Sequence, residues 1–179
     1  MKLSRWQRLS GHFTTITSHK LKVTGLCFKL GLYKQGILHD LSKYSWVEFS
    51  SGVKYYQGHR SPIDAEKENL GYSLGWLHHK GRNKHHWDYW VDKNRDGIFP
   101  IKMPYNYLLE NVCDRIAACK TYQKDNYSDK SAYEYFKNGT DRLYMHPESE
   151  IELERLLKLI ADNGLDEGFK QIKNEQRAD

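Results

Sequence analysis

The sequence predicts an all-α fold, a helical bundle carrying a small hairpin or ordered loop around residues 87–102. Three observations carry that prediction. Apolar residues recur at helical spacing through most of the chain, and helix start and stop signals bracket each run. Strand-like residues flank a turn sequence only at Asn94-Arg95-Asp96-Gly97. At 179 residues the chain suits one well-buried core and is short for two. We therefore expect a single domain over 1–179, with its core at about 12–122 and C-terminal helices at about 128–176.

His19, Val23, Leu26, Leu30 and Tyr33 share one face of a first long helix, so a histidine lies on its buried stripe. Gly31 and Gly36 interrupt the pattern, and Ile37 to about Lys43, containing His39-Asp40, reads as a second short helix. Ser45-Trp46-Val47-Glu48 has the spacing of a capping box and opens a third helix to about Tyr56. Ser61-Pro62 starts a fourth, running to Lys80 with Gly81 as its stop, which puts His78 and His79 in its last turn. Pro104 opens a helix to about Tyr122, with Tyr107, Asn111, Asp114 and Ala118 on one side; an aspartate mid-helix has no propensity reason to be there. Later helices run from Ser128 to Phe136, closed by Gly139, and from His146-Pro147 to Asp162, closed by Gly164. The stripe Ile151, Leu153, Leu156, Leu157, Leu159 and Ile160 reads as packing or a homodimer face. The tail from Lys170 is polar and expected to fray.

A hydrophobic content of 39% fits a folded protein, and a mean hydropathy of -0.83 implies a heavily charged surface. The net charge of +5, from 28 basic and 23 acidic residues, suits an anionic ligand. It is spread along the chain without a basic stripe or helix-turn-helix pattern, so nucleic acid is not the favoured partner. No apolar run reaches membrane-spanning length and the N-terminus lacks a secretory segment, so the expected location is cytoplasmic, with no membrane partner. Cys27, Cys113 and Cys119 are odd in number and outside CxxC spacing, which argues for reduced, packed thiols.

The stretch His78–Trp87, HHKGRNKHHW, holds four histidines and three cationic side chains in ten residues. Imidazole is the commonest metal ligand, and neighbouring cations suggest a place for an anion. If helices crossing at one core bring His19, His39-Asp40, this cluster and Asp114 together, imidazoles and carboxylates would suit a divalent ion. Taken singly, each feature has a plainer reading: His-Asp is a common dipeptide, His19 a core histidine, Asp114 a buried partner of an arginine. His85 and His86 divide evenly between direct ligation and contact with substrate or with a ligand, and Arg82 and Lys84 between phosphate clamps and solvated cations. Trp46, Trp76, Trp87 and Trp90 could line a base-stacking pocket, although tryptophans at helical spacing are mostly core; core is the better reading for Trp76, pocket wall for Trp87 and Trp90.

The order His19, His39-Asp40, further histidines, Asp114 resembles the metal-dependent HD-domain phosphohydrolase superfamily over about residues 12–122, and His39-Asp40-Leu41-Ser42-Lys43 is similar to its His-Asp-hydrophobic-small-Lys run. The resemblance implies that His19, His39, Asp40 and Asp114 hold one ion, that Asp40 bridges to a second, and that Lys43 reaches substrate phosphate. His78-His79 is similar to the double histidine of the two-metal branch, although His59, His78, His79, His85 and His86 compete for about two places. Trp76-Leu77-His78-His79 with Arg82-Asn83-Lys84-His85-His86-Trp87 resembles, more closely, a family of uncharacterised bacterial and phage proteins. The glycine-tyrosine-proline signature of cyclic-dinucleotide phosphodiesterases is absent after His79.

The resulting expectation is a phosphohydrolase acting on a nucleotide or other small phosphorylated substrate through a metal-activated water. Its metal ligands would be His19, His39, Asp40, His78 or His79, and Asp114. Asp40 and Lys43 would carry catalysis; Lys43, Arg82, Lys84, His86 and Trp87 would bind substrate. The cofactor would be one or two divalent ions among manganese, magnesium, iron, cobalt, nickel and zinc. Two rivals stay open: an HD-type di-iron oxygenase, and a non-catalytic binder of nucleotides or nucleic acid.

Overall fold

In the computed structural model, which describes residues 3–178, the chain is built of helices with one antiparallel hairpin among the described residues. α1 (Arg5–Lys29) starts at a capping box in which Ser4 Oγ accepts from the Gln7 N–H and Gln7 Oε1 accepts from the Ser4 N–H. α2 (Tyr33–Leu38), α3 (Trp46–Tyr55), α4 (Pro62–Leu70) and α5 (Leu74–Lys80) follow. A 3-10 turn at Trp87–Trp90 leads into β1 (Val91–Asn94) and β2 (Gly97–Pro100), paired from Val91↔Pro100 to Asn94↔Gly97 around a two-residue turn. α6 (Tyr105–Gln123), α7 (Ser131–Asn138), α8 (Pro147–Asn163) and α9 (Leu165–Ala178) complete the order. The all-α fold with a small hairpin is therefore as the sequence predicts, and none of the described helices is long and apolar enough to cross a membrane.

α6 is the axis of the molecule. Leu109, Val112, Cys113, Ile116 and Ala117 are fully buried, because α1, α2, α7 and α8 all pack on this helix. Val23, Leu26 and Cys27 of α1, Phe136 of α7 and Leu153, Leu156, Leu157 and Ile160 of α8 close the same apolar cluster. The α8 stripe is thus packing, with Ile151 alone of that stripe strongly exposed. All three cysteines are free and buried. α4 and α5 pack on α3, which lies beside α1.

Several boundaries differ from expectation, each for a local reason. α1 ends at Lys29, so Tyr33 opens α2 and is exposed. His39-Asp40 is not inside a helix: α2 stops at Leu38, and the pair forms a turn before a 3-10 segment at Leu41–Tyr44. Ser45 caps α3 without a side-chain bond, and Glu48, expected to complete a capping box, is drawn inward to two histidines. The long helix expected from Ser61 to Lys80 is two: Gly71, at φ +81°, ends α4, and Ser73 Oγ accepts from the Trp76 N–H to start α5. The tail is helical through Ala178, held by Phe169 and Ile172, which bury with the core on one face.

Candidate metal centre

Five segments meet on one side of α6. α1 supplies His19, the α2–α3 turn His39 and Asp40, α5 His79, the loop after it His85 and His86, and α6 Asp114. Two groups of donor atoms result: His19, His39, Asp40 and Asp114, and Asp40, His79, His85 and His86. Within each group, one donor atom per residue lies within 4.8 Å of every other. Residues 95 positions apart, His19 and Asp114, are 2.9 Å apart at Nε2 and Oδ1.

Asp40 stands between the groups. Its Oδ2 is 3.3 Å from His39 Nε2 and 3.8 Å from His19 Nε2, whereas its Oδ1 is 3.3 Å from His79 Nε2 and 3.5 Å from His85 Nε2. Both oxygens are buried and without an aligned hydrogen bond, as are His39 Nε2, His85 Nε2 and His86 Nε2. Lys43 Nζ lies 2.6 Å from Oδ2 as an ion pair. Buried polar atoms are ordinarily satisfied, so this many orphans aimed into one small volume fits a donor set for cations. The Asp40 backbone is left-handed, φ 54° and ψ 24°, an uncommon state for a non-glycine that costs of order 1 kcal/mol or more. Lys20 Nζ helps fix that turn, donating to the carbonyls of Ile37 at 2.6 Å and His39 at 2.9 Å.

The far nitrogens of the rings are held by carboxylates. Glu110 Oε1, one helical turn before Asp114 on α6, is 2.9 Å from His39 Nδ1 and 3.1 Å from His85 Nδ1. Glu48 Oε2 is 2.8 Å from His79 Nδ1, and its Oε1 is 2.6 Å from His78 Nδ1. His39, His85 and Glu110 also form a donor cluster of their own. We read it as ring N–H groups donating to a carboxylate, the arrangement that turns the Nε2 atoms toward a cation. Asn111 Nδ2 donates to the His85 carbonyl and Asn83 Nδ2 to that of His79, anchoring both backbones.

The charges follow from this geometry. Burial would push the Asp40 carboxyl up, but His39, Lys43 and His79 hold it well below the usual range; Asp114 is likewise held low against its burial by His19 and His39. Burial works against protonated His39, yet Asp40, Asp114 and Glu110 raise it well above an ordinary histidine, and Asp40 and Glu48 raise His79. His86 is driven well down, by burial first and then by His85 and His79, and His19 is lowered by burial and Lys43.

Of the residues the sequence singles out, His19, His39, Asp40 and Asp114 form one group as expected, and His79 joins the other. His78 belongs to neither group, since its ring turns to Glu48; His85 and His86 occupy the places for which it competed. His86 sits edge-on to a half-buried Trp76, ring centroids 4.7 Å apart. His59 is exposed, against the Gln57 carbonyl. Arg82 donates to the His78 carbonyl and Lys84 lies over the Tyr89 and Tyr107 rings, so both cations have partners outside the two groups. Trp87 stacks on Tyr144 along a cavity of about 380 Å³ beneath the hairpin; Trp90 packs on the core, and Trp46 is exposed. Glu48 and Glu110 were missed: the first imitates a capping residue, while the second carried a usable signal in its i, i+4 spacing to Asp114.

A model of the Family of unknown function (DUF5662) matches residues 8–159. The chain belongs to that family. The DUF5662 match contains every residue of both donor groups together with Glu48 and Glu110, and it ends inside α8. No curated protein and no solved structure matches the chain.

Proposed function

We propose that this DUF5662 protein is a metal-dependent phosphohydrolase of HD-domain type, acting on a nucleotide or other small phosphoester. The observation that carries the reading is the Asp40 carboxylate, whose two oxygens each face a different set of imidazole nitrogens, with Lys43 paired to one of them. Divalent ions bound there would supply an acidified water and neutralise phosphate charge. The chain's own residues would do the rest. Lys43, its charge secured by Asp40 and Asp114 against burial, is placed to pair with an entering phosphate. Glu110 and Glu48 hold the ring tautomers, and Lys20 holds the turn that presents His39 and Asp40. Arg82 and Lys84 lie at the protein surface, on the loop that carries His85.

Elemental analysis of the purified protein, coupled to a screen of nucleotides and phosphoesters, tests this. The expected result is stoichiometric divalent metal and release of phosphate, both lost in Asp40→Ala; a variant that keeps its full metal content counts decisively against the reading. The excess of imidazole over carboxylate among the donors favours one second reading, a di-iron oxygenase. Colour and iron content of anaerobically purified protein separate the two.

A further inference from the structure

Beside the metal centre, between α1, α3, α4 and α5, lies a cleft of about 70 Å³. Lys43, the cation paired with Asp40, and Glu48, the carboxylate behind His79, form the wall nearest the metal ligands. The cleft is also lined by His12, Ser51 and Glu66. Glu66 is 3% exposed, and its hydrogen bonds come from neutral donors, the Ser73 hydroxyl and the Gly75 N–H. A carboxylate accepts at about four lone-pair positions, so capacity is left over. His12 is 6% exposed and its Nδ1 has no partner in the protein. The ring fits only because position 52 is glycine: a Cβ there would stand 2.1 Å from His12 Nε2.

Two buried polar side chains with spare hydrogen-bonding capacity line one small cleft that also carries the Lys43 ammonium. At about 70 Å³ the cleft has room for a short carbon chain with its hydroxyls. A carboxylate can only accept, which asks for donors on the ligand, and hydroxyls supply them without adding a second cation beside Lys43.

We propose that this cleft binds the hydroxylated carbon chain of a small polyol phosphate, its hydroxyls on Glu66 and Ser51 and its phosphate at Lys43. The placement of the phosphate rests on the phosphohydrolase reading; the hydroxyl subsite rests on the cleft alone.

Glycerol 3-phosphate and n-propyl phosphate, which differ only in two hydroxyls, provide the test by titration calorimetry on the manganese-loaded full chain. The native protein is expected to bind glycerol 3-phosphate at least about tenfold more tightly, since a site built for hydroxyls rejects the analogue lacking them. Glu66→Gln is expected to bring the two affinities within about twofold. Gly75→Ala does the same by filling: its Cβ would sit 3.4 Å from Glu66 Oε2 and 3.6 Å from Ser51 Oγ, ordinary contacts in a helix that favours alanine, so this variant folds even if Glu66→Gln does not. Bound manganese is measured in both and is expected to be unchanged. Equal affinities in the native protein, binding of neither ester, or a preference that survives both substitutions overturns the proposal. Preferential binding without phosphate release sinks the phosphohydrolase reading and leaves the hydroxyl subsite standing; phosphate release without preference does the reverse.

Discussion

Glu110→Gln is the substitution that best separates a metal centre from a cluster of ion pairs. One oxygen of Glu110 serves His39 Nδ1 at 2.9 Å and His85 Nδ1 at 3.1 Å, and these two rings belong to different donor groups. Glutamine can place its carbonyl oxygen in the same position, so both contacts persist in shape and lose their charge. A charge-assisted bond exceeds a neutral one by roughly 1 kcal/mol, so two bonds amount to about 2 kcal/mol, or roughly thirtyfold in affinity. That agrees with the 10–100-fold range typical of carboxylates behind histidine ligands. Competition against a chromogenic chelator, with manganese or zinc, reads the dissociation constants directly. Both ions are expected to weaken together, because Glu110 spans both groups. Unchanged affinity, or weakening of one ion only, would refute the argument.

Glu48→Gln removes a partner from one group only, through His79, so it should weaken one of two bound ions by about tenfold and spare the other; the same chelator titration shows it. His12 gives a pH signature. Burial, helped by Lys43, lowers it from 6.5 to about 4, so below pH 6.5 the unfolded chain takes up a proton that the folded chain refuses. Stability should fall by up to about 3 kcal/mol as pH drops from 6.5 to 4, and denaturant titrations of His12→Gln should lack that component. Leu109→Ala, at a fully buried position of α6, should cost about 2–5 kcal/mol and lower the melting temperature by roughly 5–15 °C, read by circular dichroism.

What could be read in advance was whatever rests on periodicity and order. The 3.6-residue stripes give α1, α6 and α8, and an aspartate with no helical reason to sit mid-helix marks Asp114, which the fold carries to His19. Turn residues locate the hairpin. What escaped reading depends on where side chains turn once helices pack. Ser45 and Glu48 have capping spacing, but the carboxylate gains more from two imidazoles than from one backbone N–H. His78 and His79 are adjacent, and neighbouring helix positions point about 100° apart, so only one could face Asp40. His85 and His86 lie in an irregular loop, where spacing carries no direction. Gly71 and Ser73 held the signals to break the fourth helix, a positive-φ stop followed by a cap. The stripe Leu165, Phe169 and Ile172 held the signal for α9.

Anomalous diffraction from crystals soaked in manganese tests the central claim most directly. The account predicts two peaks flanking the Asp40 carboxylate, about 3.5–4 Å apart, one among His19, His39 and Asp114 and the other among His79, His85 and His86. Soaked crystals showing no peak within bonding distance of Asp40, with His39 and His79 still bound to it as ion pairs, would contradict it.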